Sequence, residues 1–130
     1  MLRQYLSDMR KQTKIKIDFR GNIDEQIIDD ELAIVLYRVT QEAINNILKY
    51  ARAKKVTVRL YSNENDITLT ISDDGRGFDL QRMLKKTKGL GIRGMTERVE
   101  SLGGTLIIKS AVQKGTEICT TIPNKQQRGV

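Results

Sequence analysis

Histidine and tryptophan are absent from the 130 residues, and cysteine and proline occur once each. Without histidine the chain cannot build a Ser-His-Asp triad, a Cys-His pair or an imidazole-ligated metal site. Nor can it accept a phosphoryl group on a histidine of its own. One cysteine, Cys119, makes neither an internal disulfide framework nor a thiolate zinc site, and it suits a reducing, cytoplasmic setting. Uninterrupted apolar runs are short, Leu106-Ile107-Ile108 among them, which excludes a membrane-spanning helix. No apolar stretch after Met1 reads as a secretory signal.

What is present suits one compact domain. Apolar residues make up 38% and charged residues 30%, enough for a core and too apolar for a disordered tail. The formal charge of +7 suggests an anionic partner: nucleic acid, an acidic protein surface or a polyphosphate. Charge is unevenly spread. Arg3, Arg10, Lys11, Lys14, Lys16 and Arg20 make the start basic, Asp24, Glu25, Asp29, Asp30 and Glu31 form an acidic stretch, and Arg82, Lys85, Lys86, Lys88, Arg93 and Arg98 are basic again.

Periodicity gives the elements. Ile15, Ile17 and Phe19 alternate with polar residues and predict a strand. Leu32, Val35, Leu36, Val39, Ala43, Ile47 and Tyr50 recur at steps of three and four, which predicts a helix from about Ile27 to Ala53. Its first turns carry Asp29, Asp30 and Glu31, favourable at the positive end of a helix dipole. Val56, Val58 and Leu60, then Ile67, Leu69 and Ile71, alternate cleanly around Ser62-Asn63-Glu64-Asn65, which predicts an antiparallel hairpin. Residues 73–91 read as a long glycine- and charge-rich loop with at most a short helix near Leu80–Leu84, and a loop that long in a small domain is usually functional. Ile92, Met95, Val99 and Leu102 predict a second amphipathic helix, stopped at Gly103-Gly104. Thr105–Lys109 and Thr116–Ile122 predict the last two strands. The expected fold class is α+β: a two-layer sandwich with a mixed, mostly antiparallel sheet and about three helices on one face. Residues 1–11 read as the stub of a linker or dimerisation helix, 12–123 as the domain, and 124–130 as a polar tail.

Three constellations could carry chemistry. In Gln41-Glu42-Ala43-Ile44-Asn45-Asn46-Ile47-Leu48-Lys49-Tyr50, the four-residue step from Glu42 to Asn46 and the three-residue step to Lys49 put a carboxylate, an amide oxygen and an ammonium in one row. The amide oxygen is a hard ligand suited to Mg²⁺, the carboxylate can orient or accept a proton, and the ammonium can neutralise phosphate. The same row also reads as a solvated helix face. In Asp73-Asp74-Gly75-Arg76-Gly77-Phe78, Asp73 stands where a strand leaves the sheet, and the glycines allow tight turns or close approach to a ligand. An Asp-Gly turn between two elements would look alike. Gly89-Leu90-Gly91-Ile92-Arg93-Gly94-Met95 opens a helix whose free N–H groups and dipole suit phosphates. It is neither a Walker A loop nor a dinucleotide-binding fingerprint, and alone it is equally a flexible helix entry. Lys114-Gly115-Thr116, a turn into a strand, is the smallest element of the set.

In this order the four parts resemble the ATP-binding domain shared by histidine kinases, type II topoisomerase ATPase subunits, the ninety-kilodalton heat-shock chaperone and mismatch-repair ATPases, the Bergerat-type fold. Gln41–Ala51 together with Gly89–Glu100 is similar to two-component sensor histidine kinases of the group that includes the nitrate sensors and the Bacillus lipid-fluidity sensor. The resemblance covers about residues 12–123. It implies that Asn46 ligates Mg²⁺ on the ATP phosphates, that Glu42 acts as general base or polarising group, and that Lys49 and Tyr50 face phosphates and ribose. The group usually has His where this chain has Tyr50. It implies further that Asp73 bonds the adenine amine, with Gly75 and Gly77 shaping the pocket. Gly89 and Gly91 would hinge a lid carrying Lys85, Lys86 and Lys88, and Thr116 would reach adenine through water. Phe78, Leu90 and Ile92, with Ile71 and Met95, are the apolar walls expected around the base. The phospho-acceptor histidine would lie on a separate dimerisation domain, so this chain would bind ATP without autophosphorylating, as a cytoplasmic, monomeric part of a homodimeric sensor that passes phosphate to a response regulator. Competing readings are a freestanding serine kinase of the anti-sigma-factor type and a basic nucleic-acid-binding module. The second is disfavoured by few aromatics and by Asp73-Asp74 in the glycine loop, so no direct nucleic-acid contact is expected.

Overall fold

The computed structural model describes residues 2–23, 28–77 and 90–124, apart from the side chains of Tyr50, Ala51 and Leu90. The described elements are α1 (Leu2–Gln12), β1 (Lys16–Gly21), α2 (Asp30–Asn46) with a π-helical turn (Ile47–Ala51), β2 (Lys55–Ser62), β3 (Asp66–Asp73), α3 (Leu90–Glu100), β4 (Thr105–Ser110) and β5 (Thr116–Pro123). The expected short helix near Leu80–Leu84, the lysines of the expected lid, Phe78, Gly89 and the tail from 125 onward lie outside the described residues.

The five strands lie in the order β1-β2-β3-β5-β4. β1 runs parallel to β2 and every other neighbour is antiparallel. Alternation decides the layers. Ile17 on β1, Val56, Val58 and Leu60 on β2, Ile67, Leu69 and Ile71 on β3, and Ile118 and Ile122 on β5 are all buried, and they share one cluster with residues from all three helices. The intervening Thr57, Thr68, Thr70 and Thr121 stay partly exposed on the other face. The expected two-layer arrangement is the one observed. On its outer face β1 opposes like charge with like charge, Lys16 to Lys55 and Arg20 to Arg59. Asp18 relieves one of these by an ion pair with Arg20 at 2.8 Å.

α2 differs from expectation at both ends. Its first residue is Asp30, because Asp29 is the N-cap: its carboxylate accepts from the Leu32 N–H at 3.1 Å. At the other end the chain widens into the π turn, and Arg52 adopts a left-handed conformation (φ 49°) that ends it before Ala53. Of the apolar stripe predicted for the helix, Leu32, Val35, Leu36, Val39, Ala43 and Ile47 are buried, and Ile44, outside the predicted stripe, joins them. The β2–β3 hairpin is held by Asn63, whose Oδ1 accepts from the Asn65 and Asp66 N–H groups at 2.8 and 2.7 Å.

α1 belongs to this core. Leu6 is fully buried and Leu2 nearly so. Tyr5 meets Tyr37 of α2 edge-to-face at 5.3 Å, and Arg10 donates to the Ile17 carbonyl at 2.7 Å. Leu6→Ala is therefore expected to destabilise the domain by roughly 2–5 kcal/mol, the cost of a buried leucine deletion. Urea unfolding of the two proteins checks this; an unchanged midpoint would mean that α1 is an appendage.

Candidate functional site

Sheet order brings the sequence-distant segments together. Because β5 lies between β3 and β4, the last residue of β3, Asp73, faces the first residue of β5, Thr116, and Thr116 in turn faces Ser110 at the end of β4. Ser72, Asp73, Ile108, Ser110, Lys114, Gly115 and Thr116 line an open cavity of about 610 Å³ at this end of the sheet. A narrow apolar cleft lies between α2, α3 and the sheet. That cleft is lined by Ala43, Asn46, Ile47, Ile92, Met95, Ile108, Thr116 and Ile118. Thr116 and Ile108 line both spaces, with Asp73 on the first and Asn46 on the second.

Asp73 is its electrostatic centre. Oδ1 accepts from the Gly75 N–H at 2.7 Å. Oδ2 is buried and has no hydrogen-bond partner among the described residues. A buried, unpartnered carboxylate oxygen is costly unless something donates to it. Burial pushes the Asp73 carboxyl above its ordinary range, the neighbouring Asp74 adds to this, and the backbone N–H groups of Gly75 and Thr116 pull the other way. A ligand that donates to Oδ2 would meet this demand, and an exocyclic amine of a purine has the right chemistry.

The remaining predicted residues fall into groups. Glu42 and Asn46 are half-buried on the same face of α2, as their spacing required. The π turn then breaks the periodicity, and Lys49 is exposed to solvent. Gly91 lies in the first turn of α3, and a β-carbon there would overlap the Glu42 carboxylate. That carboxylate therefore stands against the first turn of α3. Ile92 and Met95 line the cleft as expected, and Ile71 lies in the core. Thr116 is buried, and its hydroxyl pairs with that of Ser110 at 2.8 Å. Gly77 has φ +63°, and a β-carbon there would strike the carbonyl oxygens of Ala111 and Gly115, so the glycine loop packs directly on the β4–β5 turn. Of Tyr50 and Leu90 only the backbone is described. Sequence reasoning missed Ser110, Ile108, Ile118, Ala43 and Ile47 as lining residues. Only the strand pairing places Ser110 beside Thr116; its own neighbourhood carries no motif.

A second cavity, about 210 Å³, lies at the far end of α2 between Leu2, Phe19, Ile28, Leu36 and Leu60. The predicted site residues do not line it. Among the described residues no group of three or more His, Cys, Asp or Glu side chains is placed to hold a metal by itself.

Two outcomes follow. A carboxyl whose folded pKa is raised contributes stability that is full below its unfolded value, here 3.8, and lost as pH rises through the folded value. At neutral pH the Asp73 carboxylate is therefore a cost to the fold, and Asp73→Asn should leave the neutral-pH melting temperature unchanged or higher. Thermal unfolding checks this, and a clear drop would contradict it. Gly77→Ala should destabilise by at least ~1–2 kcal/mol, the left-handed penalty before the collision is added, read from urea midpoints.

Comparisons with known proteins bear on the family and the fold. The oxygen sensor histidine kinase NreB of Staphylococcus carnosus is 40% identical over 121 residues, covering 93% of this chain and 35% of that protein. The histidine-protein kinase/phosphatase DegS of Bacillus subtilis is 36% identical over 126 residues, covering 94% of this chain and 33% of its own length. The chain thus spans about a third of these relatives. Among solved structures, the histidine kinase domain of the Erythrobacter litoralis blue-light activated kinase superposes with a TM-score of 0.70 at 24% identity, covering 96% of this chain and 58% of that one. The mycobacterial sensor histidine kinase MprB does so with 0.70 at 22%, covering 95% and 91%. Residues 31–126 match the family described as histidine kinase-, DNA gyrase B- and HSP90-like ATPases, and the chain belongs to that family.

Proposed function

We propose that this chain is the ATP-binding catalytic domain of a sensor histidine kinase, which positions Mg²⁺-ATP for transfer of its γ-phosphoryl group to a histidine on a separate dimerisation domain. The observation that carries the reading is the buried Asp73 Oδ2, without a hydrogen-bond partner among the described residues, in a cavity that shares Ile108 and Thr116 with the cleft lined by Asn46. The two curated relatives described above are both named as histidine kinases.

On this reading Asp73 accepts from the adenine amine, with Ile92, Met95 and Ile108 against the base and Thr116 at its edge. Gly75 and Gly77 shape the turn that carries Asp73. Mg²⁺ holds few protein ligands and keeps phosphates and water. The described residues suit that habit, with the Asn46 amide oxygen available and no acidic cage. The ion would neutralise charge on the phosphates. Glu42 then stands at the start of α3, where it can orient an attacking imidazole or its proton. Lys49, and Gly91 at the entry to α3, would serve the phosphates, and Gly89 keeps the same expected role. Phosphoryl transfer asks little more of a protein than placement and charge.

The chain has no histidine, so the acceptor has to come from another domain. In a two-component pathway that domain would pair two copies of the kinase and hand phosphate to a response regulator. No helix among the described residues is long and apolar enough to cross a membrane.

Calorimetric titration with Mg²⁺ and a nonhydrolysable ATP analogue should show one site, and Asp73→Asn should weaken it by roughly 10–100-fold, the scale of a lost charge-assisted hydrogen bond. Affinity should fall as pH drops through the raised Asp73 pKa, because only the carboxylate leaves both oxygens as acceptors. Mixed with a histidine-bearing dimerisation domain of a homologous kinase and radiolabelled ATP, the chain should produce acid-labile phosphate, and Asn46→Ala should cut its rate by roughly 100-fold. Acid-stable phosphate would instead indicate a serine acceptor and overturn the histidine-kinase reading.

A further inference from the structure

Two adjacent carboxylates at the end of β3 face different tasks. Asp73 looks into the cleft. Asp74 is exposed and reaches the connector by which the chain leaves α2. Its Oδ1 accepts from the Lys54 and Lys55 N–H groups, both at 2.9 Å. Its own N–H donates to the Lys55 carbonyl at 3.2 Å. Successive side chains of an extended segment point to opposite sides, which is how neighbouring residues come to serve two elements.

The connector needs such a tie. After Asn46 come the π turn Ile47–Ala51, the left-handed Arg52 (φ 49°, ψ 40°) and then Lys54 at the mouth of β2. This stretch leaves regular helix before the β2 ladder begins. Lys54 is also joined to β1, its carbonyl accepting from the Lys16 N–H at 2.9 Å. The lysine that flanks the contact adds charge, and the two backbone donors, Lys55 first, hold the Asp74 carboxyl below its ordinary value, so it is ionised at neutral pH.

We propose that Asp74 is a positioning residue that sets the register between the adenine end and the metal end of the site. It ties the exit of α2, eight residues beyond Asn46, to the strand end that carries Asp73. Asp74 touches neither nucleotide nor ion. It makes the helix end and the strand end one body, so that a purine held by Asp73 presents its phosphates at a constant distance from Asn46. The inference rests on the nucleotide reading above.

The test uses the whole chain, its Asp74→Ala and Asp74→Asn variants, and calorimetric titration with ATP in the presence and absence of Mg²⁺, alongside thermal unfolding. The wild type is expected to bind ATP more tightly with Mg²⁺. Asp74→Ala should keep metal-free affinity within about twofold, as for an exposed substitution. It should lose about tenfold of the Mg²⁺ enhancement, the size of a lost charge-assisted bond. Asp74→Asn keeps an Oδ1 acceptor for both donors and should restore the enhancement. A loss that is equal with and without Mg²⁺ and follows the fall in melting temperature would assign Asp74 a purely structural role and overturn the proposal. An undiminished enhancement in Asp74→Ala would overturn it alone. No ATP binding by the wild type would overturn the nucleotide reading, and this inference with it.

Discussion

The structure depends on the insertion of β5 between β3 and β4. Antiparallel pairing on both sides of β5 sets Asp73 against Thr116 and Thr116 against Ser110, and the core cluster beneath fixes that register, since a slip of one residue would turn Ile67, Leu69 and Ile71 out to water. Asp73 thereby meets Ser110 and Thr116, which lie far along the chain from it, at one end of the sheet. The helix that covers this end contributes Asn46 from its final turn. A ligand that bridges the two is gripped from the sheet and from the helix layer at once, which a site on one layer could not do.

Much of this was legible in the sequence. Period-two runs located β1, β2 and β3, turn residues bounded β4 and β5, and the three-four stripe located α2 and its buried face, because burial on one side leaves a regular trace. The boundaries of α2 were not legible to the residue. Asp29 counts as an acidic first-turn residue by composition but acts as the cap, and nothing in Ile47–Ala51 announces a widened turn. That turn is also why Glu42 and Asn46 share a face as their spacing implied, whereas Lys49 points to solvent.

The site was legible where chemistry demands a rare residue type and opaque where it needs only shape. Asp73 and Gly77 stand out by kind. Ile108, Ile118 and Ser110 are ordinary strand residues, and only the pairing of β4 with β5 reveals that Ser110 lines the open cavity, Ile118 the narrow cleft and Ile108 both. The Glu42–Gly91 approach belongs to the same class: a missing side chain leaves no positive signal, and its purpose shows only when the helix that needs the space is seen beside it.

The like-charged pairs across β1 and β2 carry a further consequence. Lys16 beside Lys55 and Arg20 beside Arg59 repel in dilute buffer, and Asp18 neutralises only part of that. β1 is also an outermost strand, with one row of backbone groups unpaired within the sheet. A second molecule approaching to extend the sheet would bring its own cations against these. The repulsion that weakens this margin internally thus discourages end-to-end stacking of copies, and the barrier it raises thins as ionic strength grows.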